Sequence, residues 1–135
     1  MNKYISILDT ASNSSSPIQR GLNLSQKAKK VGFDWGNISG IKDKLKEELE
    51  ELDRSLADND VSNIKSEIGD VFFCLINLCI YLNIDPDDCL AMTNDKFEKR
   101  FKYVESRVMD NDGSWDLFSR EELDIFWCES KKLYK

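Results

Sequence analysis

The chain has 135 residues, 41% of them hydrophobic and 33% charged, with a formal net charge of −6 and no histidine. Those figures describe a folded domain with a core and exclude a disordered polyelectrolyte. The acidic balance also excludes a general attraction to nucleic acid or to anionic membranes, so neither is expected as a partner.

Residues 1–20 read as a flexible N-terminal arm ahead of a single domain over 21–135. Ala11 to Pro17 has linker composition, and Tyr4 to Leu8 allows a short strand or a docking segment. No basic leader with a long apolar core opens the chain, so a signal peptide is not expected. A first helix is expected over Leu24 to Val31, followed by a loop, Gly32 to Gly36, anchored by Phe33 and Trp35. A second helix is expected from about Gly40 to Ala57, with Ile41, Leu45, Leu49, Leu52 and Leu56 recurring as one apolar stripe. Asp58-Asn59-Asp60 ends it.

The third helix is expected from Val61 to Leu82 and is apolar around most of its circumference. Asp85-Pro86 then supplies an N-cap and a first-turn proline. The fourth helix runs to about Val108, burying Leu90, Phe97, Phe101, Val104 and Val108, and Asn111-Asp112-Gly113 ends it. Ser119 to Glu122 is a capping box that opens a last short helix through Lys132. No strand-period pattern of any length occurs, so the fold class is all-α: a four-helix-type bundle with a short extra C-terminal helix. Cys74, Cys79, Cys89 and Cys128 lack CxxC spacing and suit a reduced, cytoplasmic protein. No apolar run reaches the roughly 18 residues that a membrane span needs.

Two acidic clusters carry the chemistry: Glu47-Glu48-Leu49-Glu50-Glu51 and, on the next helix, Glu67-Ile68-Gly69-Asp70. With Leu45 as reference and about 100° per residue, Glu48 lies about 60° and Glu51 about 120° to one side of the leucine stripe. Glu47 and Glu50 fall toward solvent. On the third helix Glu67, Asp70, Cys74, Asn77 and Tyr81 share one narrow polar face, which must look into the bundle. Two i,i+3 carboxylate pairs on antiparallel neighbours then converge as four oxygen ligands. Such a cage calls for a hard divalent cation, Mg²⁺ or Mn²⁺. Gly69, between the acids, suggests that something packs or binds close to the backbone there. The plainer alternative for the first cluster is a solvated face paired as Lys44–Glu48 and Lys46–Glu50. It leaves the polar stripe through Asn77 unexplained. A di-iron carboxylate bundle is excluded, because its Glu-x-x-His pairs need histidine.

Basic groups follow on the fourth helix, where Lys96 and Arg100 flank the Phe97/Phe101 face and suit phosphate oxygens. Lys131 lies one turn after Trp127 on the last helix. Singly, these lysines also read as solvated surface, and Trp35 and Trp127 as core.

The pattern Glu-Glu-x-x-Glu followed by Glu-x-x-Asp resembles the signature of the MazG family of nucleoside triphosphate pyrophosphohydrolases. The likeness also runs through Gly32 to Trp35, Asn77-Leu78, Asn94 to Phe101 and Trp127-x-x-x-Lys131, and covers roughly residues 20 to 132. The chain looks most like the C-terminal, active domain of the longer bacterial members. The resemblance implies an all-α fold and Mg²⁺-dependent hydrolysis of a nucleoside triphosphate to the monophosphate and pyrophosphate. It makes Glu48, Glu51, Glu67 and Asp70 metal ligands, and gives Glu47 the attacking water. Lys96 and Arg100 become triphosphate contacts, Trp127 and Lys131 a nucleotide-contacting pair, and Asn77 a contact to sugar or base. It also implies a homodimer or homotetramer, as does the surplus of apolar surface on the third helix. The rival readings are a non-catalytic nucleotide-binding or helical interaction module, and the same fold acting on ppGpp, dUTP or phosphoribosyl-ATP. Nothing in the residues separates one base or sugar from another.

Overall fold

The structure is a computed structural model that describes residues 4–11, 16–111 and 113–135. Parts of the expected linker (12–15) and of the turn after the fourth helix (Asp112) lie outside the described residues. Among those described, five α-helices and two short 3-10 turns form the protein and no strand occurs, in agreement with the all-α reading. The helices are α1 (Pro17–Lys30), α2 (Ile38–Ala57), α3 (Val61–Leu82), α4 (Pro86–Met109) and α5 (Arg120–Leu133). No single one is long and apolar enough to cross a membrane.

The helix starts are chemical. Asn37, Asp60 and Ser119 each accept from the backbone N–H three residues on, and Ser119 and Glu122 complete the expected capping box. Asp85 accepts from Asp87 N–H at 2.9 Å just ahead of Pro86. α1 begins at Pro17, seven residues before the expected Leu24. Ser16 caps it and Pro17 takes the first helical position, so a pair that reads as linker serves as a helix start. In the segment Tyr4 to Leu8, for which a short strand or a docking role is expected, no strand forms and the chain leads into a 3-10 turn at Ile7–Thr10 that packs on α1.

The chain divides into two compact units, 1–87 and 88–135. In the first, α3 packs against α2 and α1. Gly21 permits the α1 contact: a Cβ there would stand 3.0 Å from Ile76 Cδ1 and 3.8 Å from the Phe73 ring. Gly21→Leu is therefore expected to force the two helices apart and cost about 1–3 kcal/mol of stability, read as a shift in the urea midpoint. The expected leucine stripe of α2 is turned from its forecast direction. The buried positions are Ile41, Glu48 and Ser55, one heptad apart, while Leu49 and Leu56 are exposed. The α2–α3 seam thus centres close to Glu48 rather than on the leucines.

α3 is less enclosed than its composition suggests. Cys74 and Ile76 are buried, but Ile68, Phe72, Leu75 and Leu82 are 41–53% exposed. With the half-buried Cys79 they follow a 4,3,4,3 spacing, the seam pattern of paired helices. A Cβ placed at Gly69 would meet nothing within 4 Å, so the close approach expected there is absent among the described residues.

In the second unit, Val104 and Val108 of α4 and Phe126 and Ser130 of α5 are the buried residues of the two helices. Tyr103 Oη donates to Glu129 at 2.6 Å, and Arg107 lies 3.5 Å from the same carboxylate and 5.0 Å over the Phe126 ring. Leu90, Phe97 and Phe101, expected in that buried face, are 38–56% exposed. The apolar line of α4 is longer than the surface α5 covers.

Candidate active site

Antiparallel packing of α2 on α3 brings the two acidic clusters together. Ligand oxygens of Glu48, Glu67 and Asp70 lie within 4.8 Å of one another. Glu48 is buried at 5% exposure, Glu67 half-buried and Asp70 exposed, so the group runs from the helix seam out to solvent. Oε2 of Glu48 and Oε2 of Glu67 are both buried and face no donor among the described residues. Glu51, the fourth expected ligand, stands outside the tight group but close enough to act on Glu67 by charge and hydrogen bonding.

The crowding shows in protonation. Loss of solvent, then a hydrogen bond with Glu48 that exists only while the pair holds a proton, then the charges of Glu51 and Asp70 push the Glu67 carboxyl up to about 7. The folded state therefore holds this proton more tightly than the unfolded chain, whose carboxyl has its ordinary value near 4.5. The stabilisation is complete below that value and is lost as pH rises through about 7. Metal-free protein is expected to melt at a lower temperature at pH 8 than at pH 5, with Glu67→Gln flattening the decline. Added Mg²⁺ is expected to raise the melting temperature more at pH 8, where no proton competes for the site.

Three carboxylates with oxygens this close, two of which each carry a buried oxygen with no hydrogen-bond donor among the described residues, fit a hard divalent cation. It would cancel their repulsion and satisfy the orphaned oxygens. Lys44 offsets only the back of the group. Its ammonium sits 3.1 Å from Glu48 Oε1 and 3.4 Å from Glu47 Oε1, and the Glu48 hydrogen bond raises its pKa. Glu47 itself is half-exposed, on the outer side of the seam as the helical angles require. The Lys44–Glu48 pair of the plainer reading thus coexists with the acidic cluster instead of replacing it. Cys74 is buried near the group; burial, then the Glu48 charge, pushes its thiol up.

Asn77 lies two turns beyond Asp70 on α3 and lines two adjoining cavities with Ser25, Phe33, Asp34 and Trp35. Phe33 and Trp35 were expected to anchor their loop in the core. Instead Phe33 is 80% and Trp35 42% exposed, at the mouth of those cavities. Lys44 sits 6.0 Å from the Trp35 ring centroid, so one lysine touches both the aromatic loop and the acids. Sequence reasoning saw Lys44 only as a surface partner and missed Ser25. The i,i+4 offset from Glu48 was the available signal for the lysine, whereas a serine inside a helix offered none.

In the second unit, Lys96 and Arg100 stand one turn apart on α4. Arg100 Nε donates to the Tyr134 carbonyl at 2.9 Å, which fixes the guanidinium and leaves its outer N–H groups for an anion. Trp127 packs at 5.6 Å from the Phe97 ring, and Phe97 stacks on Phe101 at 5.8 Å. Trp127 is half-buried and Lys131, one turn on, is exposed.

The first unit thus holds an oxygen-only acidic group of a kind that can bind a hard divalent cation. The particular family is explicit in comparison: the MazG nucleotide pyrophosphohydrolase domain matches residues 37–105, which hold α2, α3 and most of α4. The chain belongs to the MazG family. It is 33% identical over 108 residues to the nucleoside triphosphate pyrophosphohydrolase/pyrophosphatase MazG of Thermotoga maritima, covering 80% of this chain and 41% of that protein. It is 29% identical over 134 residues to the nucleoside triphosphate pyrophosphohydrolase of Escherichia coli, covering 89% of this chain and 51% of that one. A 70-residue stretch is 39% identical to the uncharacterized protein YabN of Bacillus subtilis, covering 52% of this chain and 14% of that protein. The chain thus spans about half or less of the curated relatives it matches.

Proposed function

We propose that this chain hydrolyses a nucleoside triphosphate, ribose or deoxyribose, to the monophosphate and pyrophosphate with Mg²⁺, or Mn²⁺ in its place. The observation that carries the reading is the convergence of Glu48, Glu67 and Asp70, with two buried oxygens that face no donor. Family membership and the names of the relatives support it. Glu48, Glu67, Asp70 and the adjacent Glu51 would hold the cation, which when bound would supply polarisation of the α-phosphoryl group and acidification of the attacking water. Glu47 orients that water and takes its proton. The water oxygen bonds to the α-phosphorus, the bond from that phosphorus to the bridging oxygen breaks, and pyrophosphate leaves. Lys96, Arg100 and Lys131 take up the charge that develops on the leaving group, and Arg100 does so with its fork already oriented. Trp127 contacts the nucleotide, and Asn77 the sugar or base. The net charge of −6 does not oppose a polyanion here, because the cation sets the local sign.

We also propose a homodimer or homotetramer, with α3 pairing across subunits through Ile68, Phe72, Leu75 and Leu82. Their exposure in the single chain supports this. The four cysteines stand as free thiols, which suits the reducing cytoplasm. The activity is tested by following pyrophosphate release from the eight common nucleoside triphosphates, with dUTP and ppGpp added, in the presence of Mg²⁺. Release of pyrophosphate with the monophosphate is the expected result. Tight Mg²⁺-dependent binding without product would instead identify a nucleotide-binding module.

A further inference from the structure

Two of the cations on α4 are spent inside the second unit. Lys102 pairs with Glu98 at 2.9 Å, and Arg107 lies 3.5 Å from Glu129. Arg100 is held differently. No carboxylate lies within ion-pairing distance of it among the described residues, and its Nε–H donates to the Tyr134 main-chain carbonyl at 2.9 Å. The distinction is electrostatic. A carboxylate would orient the guanidinium and cancel its charge. A neutral carbonyl orients it, leaves the charge whole and leaves both terminal nitrogens as an open fork.

The carbonyl is itself held in place. Tyr134 caps the end of α5 with φ at −123°, and its N–H donates to the Ser130 carbonyl at 2.8 Å. Ser130 is fully buried at 0% exposure, and its hydroxyl donates to the Trp127 carbonyl at 2.6 Å. Hydrogen bonds therefore run from Trp127 through Ser130 and Tyr134 to Arg100. Trp127 is also tied to α4 directly, with its ring centroid 5.6 Å from that of Phe97, one turn before Arg100. Trp127, Lys131 and Tyr134 follow a 4,3 spacing and so share one helix face. The tie to Tyr134 thereby sets an α4 cation at the end of the α5 face that carries Lys131.

We propose that the last turn of α5, acting through the Tyr134 main-chain carbonyl, is the positioning device for Arg100: it holds the guanidinium aimed and uncompensated, so that a diphosphate group meets a preset fork rather than a mobile side chain. The proposal rests on the nucleotide reading above and adds residues outside the matched family segment, since Ser130 and Tyr134 both lie beyond position 105. The gain is entropic. An arginine fixed before the anion arrives loses less freedom on binding it. Because the acceptor is main chain, the Tyr134 side chain is dispensable and the seating of its backbone is not.

The test does not need turnover. Inorganic pyrophosphate with Mg²⁺ is the probe, and its affinity for the full chain is measured by calorimetry. Tyr134→Ala keeps the carbonyl and is expected to bind as the parent does. Tyr134→Pro removes the N–H that seats the residue, and a proline φ near −65° does not match the −123° found there. It is expected to weaken pyrophosphate about tenfold. Arg100→Lys keeps the charge and loses the fork. It is expected to cost about as much, and adding Tyr134→Pro to it is expected to cost nothing more. In ¹⁵N spectra the Arg100 Nε–H signal, assigned by its loss in Arg100→Lys, is expected to exchange slowly with solvent in the parent and in Tyr134→Ala, and fast in Tyr134→Pro. The positioning role is overturned by Tyr134→Pro that binds like the parent, by Tyr134→Ala that loses as much as Tyr134→Pro, by losses that add in the double variant, or by a parent that does not bind pyrophosphate. Pyrophosphate binding that depends on the anchor, in a chain that releases none from any nucleoside triphosphate, leaves the positioning role standing and removes the hydrolase reading.

Discussion

Glu67→Ala and Asp70→Ala are each expected to lower kcat roughly a thousandfold or more, to the background of a pyrophosphate-release assay. Each removes an oxygen from a group whose ligand atoms lie within 4.8 Å of one another. Metal coordination of a phosphoryl group supplies several kcal/mol of transition-state stabilisation, and about 1.4 kcal/mol is tenfold in rate. Loss of fold does not account for this outcome. Removing a carboxylate from a crowded acidic centre relieves repulsion, so the metal-free variants at pH 8 are expected to melt no lower than the parent. Near-normal turnover in either variant contradicts the metal-centre assignment.

Phe72→Glu is expected to convert the proposed homo-oligomer to monomers, with subunit affinity weakened at least a hundredfold, as read by light scattering over a dilution series. Phe72 is 53% exposed in the single chain and stands in the middle of the Ile68–Phe72–Leu75–Leu82 line. A carboxylate placed there would be buried without a partner whenever two such lines pair, a cost of several kcal/mol. The charge adds no clash within one chain. The variant monomer is therefore expected to keep its helix content by circular dichroism. A parent protein that is already a stable monomer at micromolar concentration contradicts the pairing.

Local chemistry makes most of the helices readable. α3 runs over the expected Val61–Leu82 because Asp60 caps it and Asn83 closes it in a left-handed turn. The capping box of α5 is equally plain. The expected α1 is too short because Ser16-Pro17 has the composition of a linker as well as that of a cap and first turn. The carboxylates are legible because helical angle alone separates Glu48 from Glu47 and puts Glu67 and Asp70 on one face. The rotation of α2 is not, because a leucine stripe is broad and only packing decides which edge is covered. Burial of Ile41, Glu48 and Ser55 in place of Leu49 and Leu56 depends on how α3 lies across it. The exposed rings of Phe33 and Trp35 are hidden for a related reason. An aromatic loop reads as an anchor until the surface it could cover is known, and the cavity behind it is assembled from residues some 50 positions apart.

The proposed hydrolysis depends on acids of α2 and α3 together binding one kind of cation. Manganese titration followed by electron paramagnetic resonance at pH 8 tests this most directly. Bound Mn²⁺ in the parent chain, competed by Mg²⁺ and lost together in Glu48→Gln on one helix and Glu67→Gln on the other, is the predicted result. Unbound Mn²⁺ in the parent, or binding that survives both substitutions, contradicts it.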